Sequence, residues 1–244
     1  MKPKAIILRA AGTNCQYETE FVLTKSGFDA ETVHLNELIR GIKELSDYDF
    51  LAIPGGFSYG DYLGAGKVFA NKISFNLGEE IKQFVEQEKL VIGICNGFQV
   101  LVKTGLLPGF SAERKQECTL ALNNSGNFQC EWINMKAPES NCIFTKDIAS
   151  LDAPIAHGEG KFYADKIIVD RIFDNKQIAF TYTNNPNGSI KDIAGICDQS
   201  GKILGMMPHP ERNNSVLNEP TGKAELSQGK GMKLFENAYN FFKH

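Results

Sequence analysis

Cys95 lies in L-V-I-G-I-C-N-G-F-Q-V-L-V (residues 90–102), two residues from a glycine on either side, Gly93 and Gly97. Val91, Ile92 and Ile94 make an apolar run the size of a buried strand, N-G signals a turn, and F-Q-V-L-V resumes as a helix. A thiol at such an elbow meets the unpaired amides and the positive dipole end of the following helix, and both favour thiolate. The flanking glycines keep Cβ atoms out of the turn and free its backbone. An inert core cysteine needs neither glycine, so the pattern points to a nucleophile.

A nucleophilic thiol needs a base and a group that orients the base. The chain has four histidines. His34 ends a strand beside a predicted helix and His244 is the last residue, which suits structural or solvated roles. His209 lies in M-M-P-H-P-E-R, where the prolines bias their predecessors to extended backbone. In an extended chain His209 and Glu211 project to one side, so the carboxylate is placed to fix the ring tautomer and stabilise the imidazolium. His157, in P-I-A-H-G-E-G-K-F with Glu159 two residues on, ranks second as base because its glycines make a turn as suitable as a strand.

Acyl transfer also needs donors for a developing oxyanion. The Asn96 amide, next after the nucleophile, is one candidate, and Gly56 in P-G-G-F is the other. A phosphate cradle is excluded, since G-A-G-K-V lacks the Ser/Thr of a P-loop and no G-x-G-x-x-G occurs. Gln99, one helical turn after Cys95, faces the same way and offers its amide to a polar substrate.

Strands alternating with helices are what position these groups. The pattern predicts a strand over residues 4–10, a helix ending near Ser26 and closed by Gly27, and a strand over 30–35. It then predicts a helix capped by Asn36 with Leu38, Ile39, Ile42 and Leu45 on one face. A strand over 48–53 runs into the P-G-G loop, and Ile81, Phe84 and Val85 mark a helix before the elbow. This order predicts an α/β fold, a mostly parallel central sheet flanked by helices, with reactive groups at the carboxyl ends of its strands. Residues 112–149 read as mixed short strands and loops, with Phe128 and Trp132 packing over the sheet. Further strands are expected at 167–169, 178–182, 193–197 and 203–206, with a turn at 184–189 and a surface loop over 213–229. A closing helix places Met232, Phe235, Tyr239 and Phe242 on one face.

The 244 residues, 42% apolar, suffice for one domain over 1–244 with its own core. A net charge of −3 with interspersed signs gives no nucleic-acid footprint. The N-terminal apolar run is too short for a signal peptide or membrane span, which predicts a cytoplasmic protein. Six cysteines without a C-x-x-C pair argue against a disulfide framework or zinc knuckle, and all but Cys95 read as structural.

With G-I-C-N-G-F-Q, P-G-G-F-S-Y-G-D and M-M-P-H-P-E-R assembled, the chain resembles the class I glutamine amidotransferases, a flavodoxin-like fold with a nucleophile elbow. More narrowly it resembles the glutaminase subunits of phosphoribosylformylglycinamidine synthase. R-A-A-G-T-N-C, A-H-G-E-G-K-F and N-P-N-G-S extend the match over nearly the whole chain. The resemblance implies that Cys95 attacks the carboxamide of L-glutamine to form a γ-glutamyl thioester, that His209 protonates the leaving ammonia and activates water, and that Glu211 holds His209. It further implies Gly56 and Asn96 as the oxyanion hole and Gln99 as a glutamine contact. Ammonia passes to a separate synthetase subunit, which uses ATP and Mg to make formylglycinamidine ribonucleotide in purine biosynthesis. This chain then needs no cofactor or metal, and its expected partners are the synthetase and a small third subunit.

Ala11 stands where the family's first loop usually has Pro, and Asn127 and Glu131 stand where relatives tend to carry arginines; these departures bear on the docking surface. Two other readings remain at this point: a glutaminase for another synthetase, and a non-catalytic redox or stress protein built on a similar elbow.

Overall fold

The computed structural model describes residues 2–220 and 227–243. The chain opens with β1 (Lys4–Arg9), α1 (Gln16–Ser26) and β2 (Asp29–His34), then a short α2 (Leu35–Ile39) and β3 (Phe50–Ile53). The helix α3 (Lys67–Glu86), the strand β4 (Leu90–Ile94) and α4 (Asn96–Lys103) follow. The second half holds β5 (Cys118–Ala121), β6 (Gln129–Lys136), β7 (Ser150–His157), β8 (Lys161–Ala164) and α5 (Lys166–Asp174). It closes with β9 (Ile178–Tyr182), β10 (Ile193–Cys197), β11 (Ile203–Met206) and α6 (Met232–Phe241).

One sheet runs β2-β1-β3-β4-β11-β10-β9-β6-β7, and β5 pairs with β8 apart from it. The five strands from β2 to β11 are parallel and the other four extend the sheet antiparallel. In the parallel half β3 and β4 are buried at every position, which is why they read as continuous apolar runs. The helix α1 ends where Gly27 takes the left-handed φ of 119° and its amide returns to Leu23 and Thr24 carbonyls. A side chain at Gly27 would strike the Tyr239 ring, so the same glycine lets α6 lie against α1.

Several expectations change. Residues 166–174 form a helix, not a strand at 167–169: the I-I-V run suits a strand locally, but Val169 and Ile172 share a buried face at helical spacing. The cap of α2 is His34, whose Nδ1 accepts the Asn36 amide while Glu37 returns to the His34 amide. This helix stops at Ile39, Ile42 is exposed, and Leu45 begins a separate 3-10 turn. Phe128 is 53% exposed and leans toward Phe57 rather than packing over the sheet. Strand β6, in the region read as mixed strands and loops, forms a long antiparallel pair with β7; burial alternates along all of β7 but only through the second half of β6, which is why β6 lacks a clear sequence period. Part of the expected loop over 213–229, residues 221–226, lies outside the described residues, as does His244. Among the described residues no helix is long and apolar enough to cross a membrane.

Candidate active site

Cys95 holds φ 53° and ψ −106°, an unusual conformation for a non-glycine residue, between the last residue of β4 and the first of α4. Its amide donates to the Met206 carbonyl at 2.8 Å and its carbonyl accepts the Gln99 amide at 3.2 Å, so sheet and helix together hold the turn. The strain sits on the thiol residue itself; neither flanking glycine has a positive φ. Their role is close approach. An ideal Cβ on Gly93 would lie 2.6 Å from the Gly97 carbonyl oxygen, and one on Gly97 would strike the main chain of Ile53. This packs α4 directly on β3 and β4.

Because β11 pairs beside β4, with Met206 opposite Ile94, the segment after β11 emerges next to Cys95. His209 and Glu211 are both buried, and His209 Nδ1 lies 2.7 Å from Glu211 Oε1. The two side chains meet through a 3-10 turn over Pro210–Arg212, where proline at the first position favours helical entry, and not through the extended run expected. Burial opposes charge on the His209 ring, but the Glu211 carboxylate and then Cys95 outweigh it and hold the pKa well above the ordinary histidine value. Among the described residues His209 Nε2 has no hydrogen-bond partner.

A cavity of about 190 Å³ is lined by Cys95, Gln99, Gly56, Asp61, His157 and Glu159, among others. Gly56 takes φ 144°, and an ideal Cβ there would lie 2.7 Å from the Gly12 carbonyl oxygen, so only glycine lets this loop cross the loop after β1. Asn96, the first residue of α4, has an amide without an intrahelical acceptor, while its side chain accepts the Ser58 amide and donates to Gln99 Oε1. Gln99 is buried and its amide is committed within the protein: besides Asn96, Nε2 donates to the Glu159 carbonyl at 2.6 Å. It therefore shapes the wall of the cavity by holding the backbone at Glu159.

His157 is buried with Nδ1 3.1 Å from Asn123 Oδ1. Asn123 Nδ2 donates to the carbonyls of Asn127 and His157, and Oδ1 also accepts the Gly160 amide, so the network assigns the proton to His157 Nδ1. Burial, then the charge of His209, pushes its pKa down to about 4. A ring so reluctant to take a proton is a poor base beside His209.

Asp61 and Cys15 were given no part in the site by the sequence reading, and Glu159 only as the carboxylate beside His157. Asp61 and Glu159 line the cavity, and burial first, then the Glu159 charge among other causes, raises the Asp61 pKa. Cys15, read there as structural, is buried at the site: its Sγ accepts from Arg212 Nη2 at 3.1 Å. The available signal was topological, since A-G-T-N-C follows the carboxyl end of a parallel strand.

A parallel sheet with a strained cysteine elbow at the end of β4 and a buried His–Glu pair after the adjacent strand is the architecture of the class I glutamine amidotransferases. Residues 2–242 match the CobB/CobQ-like glutamine amidotransferase domain family. Phosphoribosylformylglycinamidine synthase subunit PurQ of Methanococcus maripaludis is 41% identical, with 98% of this chain and 97% of that one aligned. The PurQ subunit of Dehalococcoides mccartyi is 45% identical over 97% and 96% of the two chains. A chain in the structure of PurLQS from Thermotoga maritima superposes with a TM-score of 0.80 at 33% identity, covering 99% of this chain and all of that one. The chain belongs to the PurQ family of glutamine amidotransferases.

Proposed function

We infer that this chain is the glutaminase subunit of a phosphoribosylformylglycinamidine synthase, acting in purine biosynthesis. Full-length similarity to PurQ subunits supports that assignment, and the match over residues 2–242 supports reading the chain as one amidotransferase domain. The observation that carries the chemistry is the packing of the Cys95 side chain and the His209 ring against Gly55, with Glu211 bonded to His209 and a cavity of about 190 Å³ at Cys95.

In this reading L-glutamine enters the cavity and the Cys95 thiolate attacks its side-chain carbonyl carbon. The negative charge that develops on the carbonyl oxygen is met by the amides of Gly56 and Asn96. His209, protonated and held by Glu211, gives a proton to the leaving nitrogen, and the C–N bond breaks to release ammonia. The thioester remains on Cys95. His209 then takes a proton from water, the resulting hydroxyl attacks the thioester carbon, and glutamate leaves with the thiolate restored. Gln99 acts by holding the cavity wall at Glu159. The ammonia passes to a synthetase subunit that holds ATP and Mg; the similarity to a PurLQS chain supports such a partner and, with it, a small third subunit. The protein acts in the cytoplasm.

The test combines this chain with its synthetase. Glutamine and formylglycinamide ribonucleotide are expected to yield glutamate and the amidine. Cys95→Ala abolishes the glutamine-dependent reaction and leaves ammonia-dependent synthesis intact. Glutamate release that continues in Cys95→Ala overturns the assignment of the nucleophile. Formation of a different product overturns the assignment of the pathway.

A further inference from the structure

Cys15 is a buried thiol that the proposed chemistry leaves unused. Its Sγ, a ring nitrogen of His209 and a carboxylate oxygen of Glu211 lie within 4.8 Å of one another, and all three residues are buried. Among the described residues, His209 Nε2 and Glu211 Oε2 have no hydrogen-bond partner. Cys95 approaches the same space. An ideal Cβ on Gly55 would lie 2.7 Å from His209 Cε1, 3.1 Å from Cys15 Sγ and 3.5 Å from Cys95 Cβ. The absent side chain of Gly55 thus lets the Cys15 sulfur, the His209 ring and the Cys95 side chain pack around one backbone point.

We propose that Cys15, His209 and Glu211 form a binding site for a thiophilic divalent cation, best matched by Zn²⁺, and that its occupation switches the glutaminase off. The inhibitory half rests on the assignment of Cys95 and His209 as nucleophile and base; the binding half does not. One sulfur, one nitrogen and one oxygen donor suit Zn²⁺, whose bonds to these atoms run about 2.0–2.3 Å in a tetrahedral shell. Mg²⁺ and Ca²⁺ demand shells of oxygen, which this site does not offer. Three protein ligands leave a fourth position for water or the Cys95 thiolate.

Binding exchanges the Cys15 thiol proton for the metal, and the proton leaves to solvent. In the metal-free protein Asn14 Oδ1, 3.1 Å away, accepts from the Cys15 thiol, and Arg212 Nη2 donates to the same sulfur. The same guanidinium, shared with Glu18 at 3.7 Å, opposes a nearby cation and suits the site to reversible occupation. A metal on Nε2 takes the lone pair that proton transfer needs. A metal on Nδ1 displaces the proton held toward Glu211. Either arrangement removes the imidazole from catalysis.

The test uses Co²⁺ as a spectroscopic stand-in on the full chain carrying Cys95→Ser. A sulfur-to-cobalt charge-transfer band is expected there and is lost when Cys15→Ser or Cys15→Ala is added. No band in Cys95→Ser, or a band that survives loss of Cys15, overturns the site. Anomalous diffraction at the zinc edge from Cys95→Ser crystals needs no change at Cys15: density between Cys15 and His209 supports the site, and density only elsewhere overturns it. With the synthetase present, Zn²⁺ is expected to inhibit wild-type glutaminase reversibly to EDTA. Cys15→Ser, compared with its own metal-free rate, should need more zinc, by no less than the roughly 10- to 100-fold that loss of an outer-shell partner costs. Equal zinc sensitivity means Cys95 alone takes the metal and overturns the inhibitory half. Absence of glutaminase in metal-free wild type instead overturns the assigned activity, and the cobalt and zinc-edge readouts still decide the site.

Discussion

An ideal Cβ on Gly97 would lie 1.8 Å from the main-chain carbonyl oxygen of Ile53. The start of α4 is therefore pressed on the carboxyl end of β3 more closely than any side chain permits. That contact holds two parts of the site together: Ile53 leads into the Gly55-Gly56 loop, and Gly97 follows the Cys95 elbow by two residues.

Gly97→Ala should accordingly destabilise the fold at the upper end of the roughly 1–3 kcal/mol typical of overpacking, because the obstructing atom is main chain and has no rotamer to change. Gly78, inside α3 with nothing within 4 Å of its ideal Cβ, is the control. Gly78 follows the kink at Leu77 (φ −128°, ψ 18°), so Gly78→Ala should change stability by no more than the roughly 1 kcal/mol that helix propensity is worth. Urea unfolding of the two variants measures both, and equal effects would refute the close-packing explanation.

Glu211→Gln keeps the shape of the side chain but removes the charge that stabilises the His209 imidazolium. The glutaminase turnover should fall roughly 10³- to 10⁴-fold, by analogy with loss of the orienting carboxylate in hydrolase triads. KM for glutamine should change little, because Glu211 is not among the residues lining the cavity. Steady-state kinetics with the synthetase present separates the two parameters; a rise in KM at constant turnover would instead make Glu211 a binding residue.

His157 should make the fold sensitive to mild acid. Its pKa is about 4 in the folded protein against about 6.5 in an unfolded chain. Between these values the unfolded chain binds the extra proton, so this contribution to stability is present above about 6.5 and is lost as pH falls toward 4. Its full size is on the order of 3 kcal/mol. Wild type should lose more stability than His157→Gln between pH 7 and 4.5, read from urea midpoints at each pH. Parallel losses in the two proteins would show that acid acts elsewhere.

What the sequence by itself determined is local. The elbow, the P-G-G loop and the M-M-P-H-P-E-R segment were legible because each needs particular residues next to one another in the chain. Strands β9, β10 and β11 were legible because they are almost wholly buried, so a near-continuous apolar run marks each of them. The I-I-V run at 167–169 misled because a short apolar segment suits strand or helix equally until something packs against it. Tertiary structure alone decided the rest. Pairing of Ile94 with Met206 set the His209 segment beside Cys95, and the loop after β1 carried Cys15 to the same point. Cys15, Cys95 and the His209–Glu211 pair are far apart in sequence, and only the order and register of strands in the sheet bring them within reach of one another.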